Sequence, residues 1–447
     1  MLKKYFILFI FILSFVLFLY VFYRSEIIFN GDRRNFYLAY YIISLIGFIT
    51  GFVLIFLNNN IFKYLSITII SLIFSFYIFE FYMTYVSITM LKDLNIKKKI
   101  KIYKKNTGKD YDIRDIYSYY LDQKKNNPNI RIDSTSANLL KYNELELFPL
   151  SGVSNSEVIL CNENGYYKHI FTDRYGFNNV DEIWDYKEQE YVLFGDSFAE
   201  GYCEDKEHTL VNNLQKLLQK KVLNLGQGGA GSLLEYATIR EYLPIKTNNL
   251  IMLLSDNDII DLRKELKNSV LIKYLKDKNF TQNLLLNQKK IDTIYKTIFE
   301  NEEKYRKKIE FIRFIKLNYV RSYLSNLLSK KQKINKVSQS NVDSEGYLEF
   351  KEIMLELKNL SLKREFNFFV IYLPSYNYFK GNSYYNKDHY PIINILKDYE
   401  INYLDLTKEV FSNEKDPYDL FPFGFYGHYN KNGSKKISEA IYRFILR

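Results

Sequence analysis

Residues 5–23, YFILFIFILSFVLFLYVFY, carry no charge. Residues 36–57, FYLAYYIISLIGFITGFVLIFL, repeat the pattern, and a third run stays uncharged from Tyr64 to Phe79. Each approaches the roughly 20 residues that a helix needs to cross a bilayer. Three such runs at one end are hard to bury in a soluble core. They are expected to be transmembrane helices at about 5–23, 36–57 and 64–84, within a membrane region 1–91. The first run lacks a small-x-small cleavage site and two more follow, which argues against a cleaved signal peptide. Glu80 ends the third run. An intramembrane carboxylate is often functional, but a carboxylate at headgroup level is the simpler expectation here.

The flanking charges bear on orientation. Lys3, Lys4 and Lys63 fall on one side. Arg24, Arg33 and Arg34 fall on the other, with Lys92, Lys97, Lys98, Lys99, Lys101, Lys104 and Lys105. The positive-inside rule then favours a cytoplasmic C-terminal region. The same lysines could serve as a juxtamembrane patch for anionic headgroups.

Composition excludes several classes. The formal charge is +11, which fits a solvated lysine-rich surface, and no basic stripe carries a nucleic-acid signature. No nucleic-acid partner is expected. The two cysteines, Cys161 and Cys203, form no CxxC, and the four histidines, His169, His208, His389 and His428, form no HExxH or His-x-His. Neither a metal nor a cofactor is expected.

Residues 92–130 are charged and read as a basic stalk or linker. Residues 131–188 form a small β-rich segment, in which Asn164-Gly165 suits a tight hairpin turn. From Gln189 onward strands alternate with helices: EYVLF, TLVNNLQKLLQ, KVLNLG, SLLEYATIREYL, NLIMLL, then FNFFVIYL, a helix near 390–398, INYLDL and SKKISEAIYRFIL. This alternation implies an α/β fold with a doubly wound parallel sheet over 189–447. Residues 261–345 interrupt it with Leu and Ile at helical spacing. They read as a helical insertion, either a lid or partner surface or an elaboration packed on the sheet edge.

In YVLFGDSFAEGY (191–202), Ser197 directly follows the first strand, at the edge where such sheets place ligands. A serine nucleophile needs a base, donors for the oxyanion and a group that orients the base. Other strand ends offer Gly229 in NLGQGGAGS, Asn257 in LLSDNDIIDL and His428 before the last helix. Serine, glycine, asparagine and histidine in this order, each after a strand, resemble the SGNH/GDSL hydrolase superfamily, here as a membrane-anchored member. Gly195-Asp196-Ser197 with Gly201, Asn224 through Gly229, Asn257-Asp258, and His428 with Gly433 match its blocks. CNENG (161–165) and TDRYGFNN (172–179) look like the lead-in of membrane-attached members.

The resemblance implies a flavodoxin-like fold and a role for each residue. Ser197 would be nucleophile and oxyanion donor, Gly229 and Asn257 would complete the oxyanion hole, and His428 would be general base and acid. Asp196 and Asp258 read as turn-stabilising acceptors, and His389, in NKDHYP, as a surface residue. The family usually has an aspartate three residues before its histidine, where Phe425 stands here. A Ser–His dyad held by a backbone carbonyl, another carboxylate in substitution (Asp416 and Asp419 being near in sequence), or loss of activity would account for that departure.

The resemblance implies esterase or acyl-transfer chemistry. Membrane attachment directs it to an O-acyl (acetyl) ester of an envelope polysaccharide, lipid-linked glycan or lipid, with the bilayer as further partner. The alternative is a degenerate fold that binds glycan or serves as an assembly partner. Family precedent places the soluble part on the exoplasmic face of the inner (plasma) membrane, against the lysine count. A Cys161–Cys203 disulfide would agree with that face; two free thiols are the other possibility.

Overall fold

The computed structural model describes residues 2–31, 33–87, 95–142, 145–329, 346–380 and 386–447. Lys92 and the end of the expected insertion, 330–345, lie outside them. The chain divides into two compact units. Residues Met1–Thr84 and Ile312–Lys330 form one, and Tyr85–Phe311 with Lys331–Arg447 form the other.

The first unit is built on α1 (Leu2–Phe22), α2 (Arg34–Phe56) and α3 (Asn59–Ser87). All three are long and apolar enough to cross a membrane. Most of their side chains are apolar, all round each helix, the pattern of a membrane span. Leu54, Ile7 and Phe62 make a small core between them. The distal part of the expected insertion also clusters here. Glu80 is fully buried and accepts backbone N–H groups from Tyr319 and Val320.

The second unit holds two sheets. β1 (Arg131–Ile132), β2 (Glu157–Ile159) and β3 (His169–Phe171) form the small one. β2 and β3 are antiparallel, but a loop over 160–168 joins them where a tight hairpin was expected. Gly165 takes a φ of 100° within that loop.

The large sheet contains β4 (Gln189–Gly195), β5 (Val222–Asn224), β6 (Thr247–Ser255), β7 (Asn367–Leu373) and β8 (Asn402–Asp405), in the order β5-β4-β6-β7-β8. Every pairing is parallel. This is the flavodoxin-like doubly wound order, whose switch point lies at β4.

Alternation along the strands feeds two cores. Val192, Phe194, Leu250, Met252 and Val370 face one; Leu193, Ile251, Leu253 and Ile371 face the other. Helices Ser232–Tyr242, Tyr347–Arg364 and His389–Asp398 cover the first face, and Leu210–Leu218 with Lys431–Ile445 cover the second. Burial on both faces explains why these strands read as continuous apolar runs. The long helix Gln288–Ile315 starts on the β-rich segment, where Asp292 accepts from the Ser154 N–H and hydroxyl.

Candidate active site

β4 ends at Gly195, whose φ of 150° and 2.5 Å clearance between a built Cβ and the Leu253 carbonyl oxygen exclude a side chain. The chain turns there into the short helix Ser197–Glu200. Asp196 caps it, accepting the Phe198 N–H at 2.9 Å. Ser197 is thereby presented at the carboxyl edge of the sheet, beside the switch point.

His428 precedes the last helix and reaches the same edge. Its Nε2 lies 2.8 Å from Ser197 Oγ. Its Nδ1 lies 3.1 Å from Glu163 Oε1, and its backbone N–H donates to Glu163 Oε2 at 2.6 Å. One carboxylate thus holds both the ring and the backbone of the histidine. With the Nδ1 proton directed at Glu163, Nε2 is left to accept the serine proton. Burial by itself would lower the pKa of the imidazole. The charge and hydrogen bond of Glu163, with Asp196 behind, outweigh it and leave the pKa above its ordinary value.

Glu163 is the candidate site residue that sequence reasoning missed. It comes from the β2–β3 loop and fills the role left open by Phe425. The carboxylate that reaches His428 is thus neither Asp416 nor Asp419 but Glu163; Asp416 caps the turn Pro417–Leu420 by accepting the Tyr418 N–H. The dyad with a backbone carbonyl is likewise replaced.

Several contacts hold the loop. A disulfide joins Cys161 to Cys203, with Cα atoms 5.3 Å apart. The Asn164 amide donates to the Cys203 carbonyl at 3.0 Å, and Tyr202 Oη donates to the Leu160 carbonyl at 3.0 Å. Asn162 bridges the Gly165 N–H and the Asp112 carbonyl. The chain that carries Glu163 is therefore fastened to the turn that follows the nucleophile. Glu163, Cys203 and His428 come within metal-ligand range of one another, but the sulfur of Cys203 is in the disulfide and is no thiolate donor.

The other predicted residues fall on the same edge with different outcomes. Asn257 directly precedes the helix Asp258–Glu265, with no side-chain capping bond, and lines a cleft of about 520 Å³ together with Ser197, His428, Ser375, Tyr376 and Tyr426. Its amide donates to Asp261 at 2.8 Å. Gly229 has a φ of 72°, lies near Ala137, and is not among the residues lining that cleft. Its neighbour Gly228 is closer, with a built Cβ 3.8 Å from Ser197 Cβ, and donates its N–H to Glu200 at 2.8 Å.

Polar side chains around the serine tie the neighbouring loops together. Asn224 donates to the Ala199 carbonyl and accepts from the Gly226 N–H. Asn179, in TDRYGFNN, exchanges two hydrogen bonds with the Asn224 backbone at the edge of β5. The Ser255 hydroxyl lies 2.8 Å from Asp196, 2.7 Å from Asn257 and 2.8 Å from Asp258. Burial raises both carboxyl pKa values, that of Asp196 to about 6 and that of Asp258 well above its ordinary value. Both carboxyls accept backbone N–H groups that hold the turns, Asp196 from Phe198 and Asp258 from Ser255.

His389 is a correction. It is 3% exposed, bonded at Nδ1 to Tyr378 Oη (2.9 Å) and at Nε2 to Asp405 (3.1 Å).

No protein-family model matches the chain, and a search of curated proteins finds no match. Solved structures similar to it include a lipolytic protein of the G-D-S-L family from Desulfitobacterium hafniense, 13% identical with a TM-score of 0.33, covering 57% of this chain and 99% of that one. Another of that family, from Veillonella parvula, is 10% identical with a TM-score of 0.33, covering 58% and 99%. A carbohydrate esterase family 2 enzyme with a carbohydrate binding domain, from Corynascus thermopiles, is 10% identical with a TM-score of 0.31, covering 58% and 65%.

Proposed function

We propose that this protein is a membrane-anchored serine esterase or O-acyltransferase whose reacting groups are Ser197, His428 and the positioning residue Glu163. The observation that carries the reading is the continuous relay from serine hydroxyl to imidazole to carboxylate. Ser197 Oγ attacks the ester carbonyl while His428 Nε2 takes its proton. Glu163 holds the ring and stabilises the imidazolium. The oxyanion is met by the Ser197 N–H and by the Asn257 amide, whose second N–H is the one assigned, since the first goes to Asp261; Gly229, outside the cleft lining, is assigned no part. Collapse breaks the ester C–O bond, and His428 returns the proton to the departing alcohol. Water then releases the acid, or an acceptor hydroxyl takes the acyl group.

The substrate proposed is an O-acyl (acetyl) ester of an envelope glycan or lipid, handled next to a bilayer spanned by α1–α3. The Cys161–Cys203 disulfide supports an exoplasmic position for the second unit, because such bonds persist in oxidising compartments. A fluorophosphonate probe should label the full-length protein at Ser197, and Ser197→Ala should abolish both labelling and hydrolysis of an acetyl ester. A wild-type protein that neither labels nor turns over any acyl ester would overturn the reading. Mass analysis of the trapped acyl-enzyme from envelope extract identifies the acyl group.

A further inference from the structure

Glu80 is the acidic residue of an apolar helix, and a lone carboxylate in a bilayer is costly. Its two oxygens accept the Tyr319 N–H at 3.0 and 2.9 Å and the Val320 N–H at 3.0 Å. These donors belong to the first turn of the helix Asn318–Ser329, where backbone N–H groups have no partner inside the helix and the dipole favours an anion. Each group meets the other's need. This helix, at the distal end of the expected insertion, is joined to the apolar bundle.

Further contacts fix the place. Tyr77 Oη donates to the Ile315 carbonyl at 3.0 Å, and the Tyr77 and Phe314 rings lie 5.6 Å apart. Lys316 Nζ donates to Tyr20 Oη at 2.9 Å, and Arg321 sits 5.8 Å from the Tyr40 ring. Tyr20 ends α1, Tyr40 is early in α2 and Tyr77 is late in α3, so all three mark one end of the bundle. Tyrosines at that level suit a membrane–water interface. Residues 311–329 contain no acid, but they contain Arg313, Lys316 and Arg321. Exposed Ile315 and Tyr323 accompany these cations.

We infer that residues 312–329 form a bilayer-seated surface that binds anionic phospholipid headgroups at this end of the bundle. Exposed Ile315 and Tyr323 enter the interface, and the three cations meet the lipid phosphates. The inference rests on the bilayer-spanning reading of α1–α3 and not on the ester chemistry.

The test uses full-length protein in nanodiscs of mixed phosphatidylglycerol and phosphatidylcholine. Both native cysteines are in a disulfide, so Tyr323→Cys gives a single site for an environment-sensitive dye, read by nitroxide-headgroup lipids of either type. Quenching by the phosphatidylglycerol probe should exceed that by phosphatidylcholine severalfold. Arg313→Gln, Lys316→Gln and Arg321→Gln together should erase that preference. Equal quenching by both lipids, or a dye open to aqueous iodide and untouched by lipid, overturns the proposal. Ile46→Cys, on the exposed face of α2, is the control: if its dye also escapes lipid, the spanning reading falls and this inference falls with it.

Discussion

Two histidine–carboxylate pairs lie near the ends of the parallel strands, and their surroundings set them apart. His428 meets Glu163 through Nδ1 and keeps Nε2 for the hydroxyl of Ser197. Its side chain is 21% exposed and lines the cleft. His389 spends one nitrogen on Asp405 and the other on Tyr378, and stacks on the Tyr372 ring at 4.6 Å. Its side chain is 4% exposed. A histidine with a carboxylate is thus not in itself a catalytic signature. What distinguishes the reactive one is a free-facing nitrogen, a nucleophile to receive it and a path for substrate.

The comparison breaks most sharply at the nucleophile. Ser197→Ala or His428→Ala should lower kcat on an acetyl ester by about 10⁶-fold, measured on protein that retains its thermal transition. Glu163→Gln comes next. It removes the carboxylate that fixes the tautomer, and a loss of roughly 10³–10⁴-fold in kcat with little change in KM is expected. Glu163→Asp should recover part of it. A Glu163→Gln protein with unaltered kcat would show that the serine and histidine act as a dyad.

Much of this arrangement was legible because strands and motifs are local signals. GDS at the end of EYVLF, Asn257 after NLIMLL and His428 before an amphipathic helix all fall where the alternation places them. Glu163 was not, because it lies 265 residues from its histidine and outside the alternating region. The available signal was Cys161, two residues earlier, and Cys203, six residues after the serine; pairing them brings Glu163 to Ser197. His389 was misread because NKDHYP looks like a loop. Yet Pro391 in the first turn is compatible with a helix start, and the helix His389–Asp398 begins there. Glu80 found its partners 239 and 240 residues away, on an insertion whose own pattern says only that it is helical.

The pH response sharpens the same contrast. His428 must be neutral to act as base, and Glu163 raises its pKa above the ordinary 6.5. Activity in kcat/KM should therefore fall as pH drops through a midpoint above 6.5. Residual activity of Glu163→Gln should show that midpoint moved down. Stability has the opposite sign. A histidine whose folded pKa is raised contributes stability that is complete below its unfolded pKa and is lost as pH rises through the folded one. Unfolding measured across that window should show wild type losing an increment that Glu163→Gln never had.

The smallest effect on turnover belongs to the second pair. Asp405 sits at the end of β8. Burial opposes its charge, but hydrogen bonds from His389 and Thr407 hold its pKa below the usual carboxylate range. His389→Ala leaves that carboxylate buried without its main partner, which typically costs about 3–5 kcal/mol, and opens a void under Tyr372. For a domain of this size each kcal/mol lowers Tm by roughly 2–4 °C. The expected result is a clear fall in Tm with kcat on folded protein within about threefold of wild type, the change allowed by RT at about 0.6 kcal/mol. The two histidines would then separate completely, one read in rate and the other in stability. A large loss of kcat at unchanged Tm would mean that the buried pair reaches the cleft, through Tyr378 and the neighbouring Tyr376 that lines it.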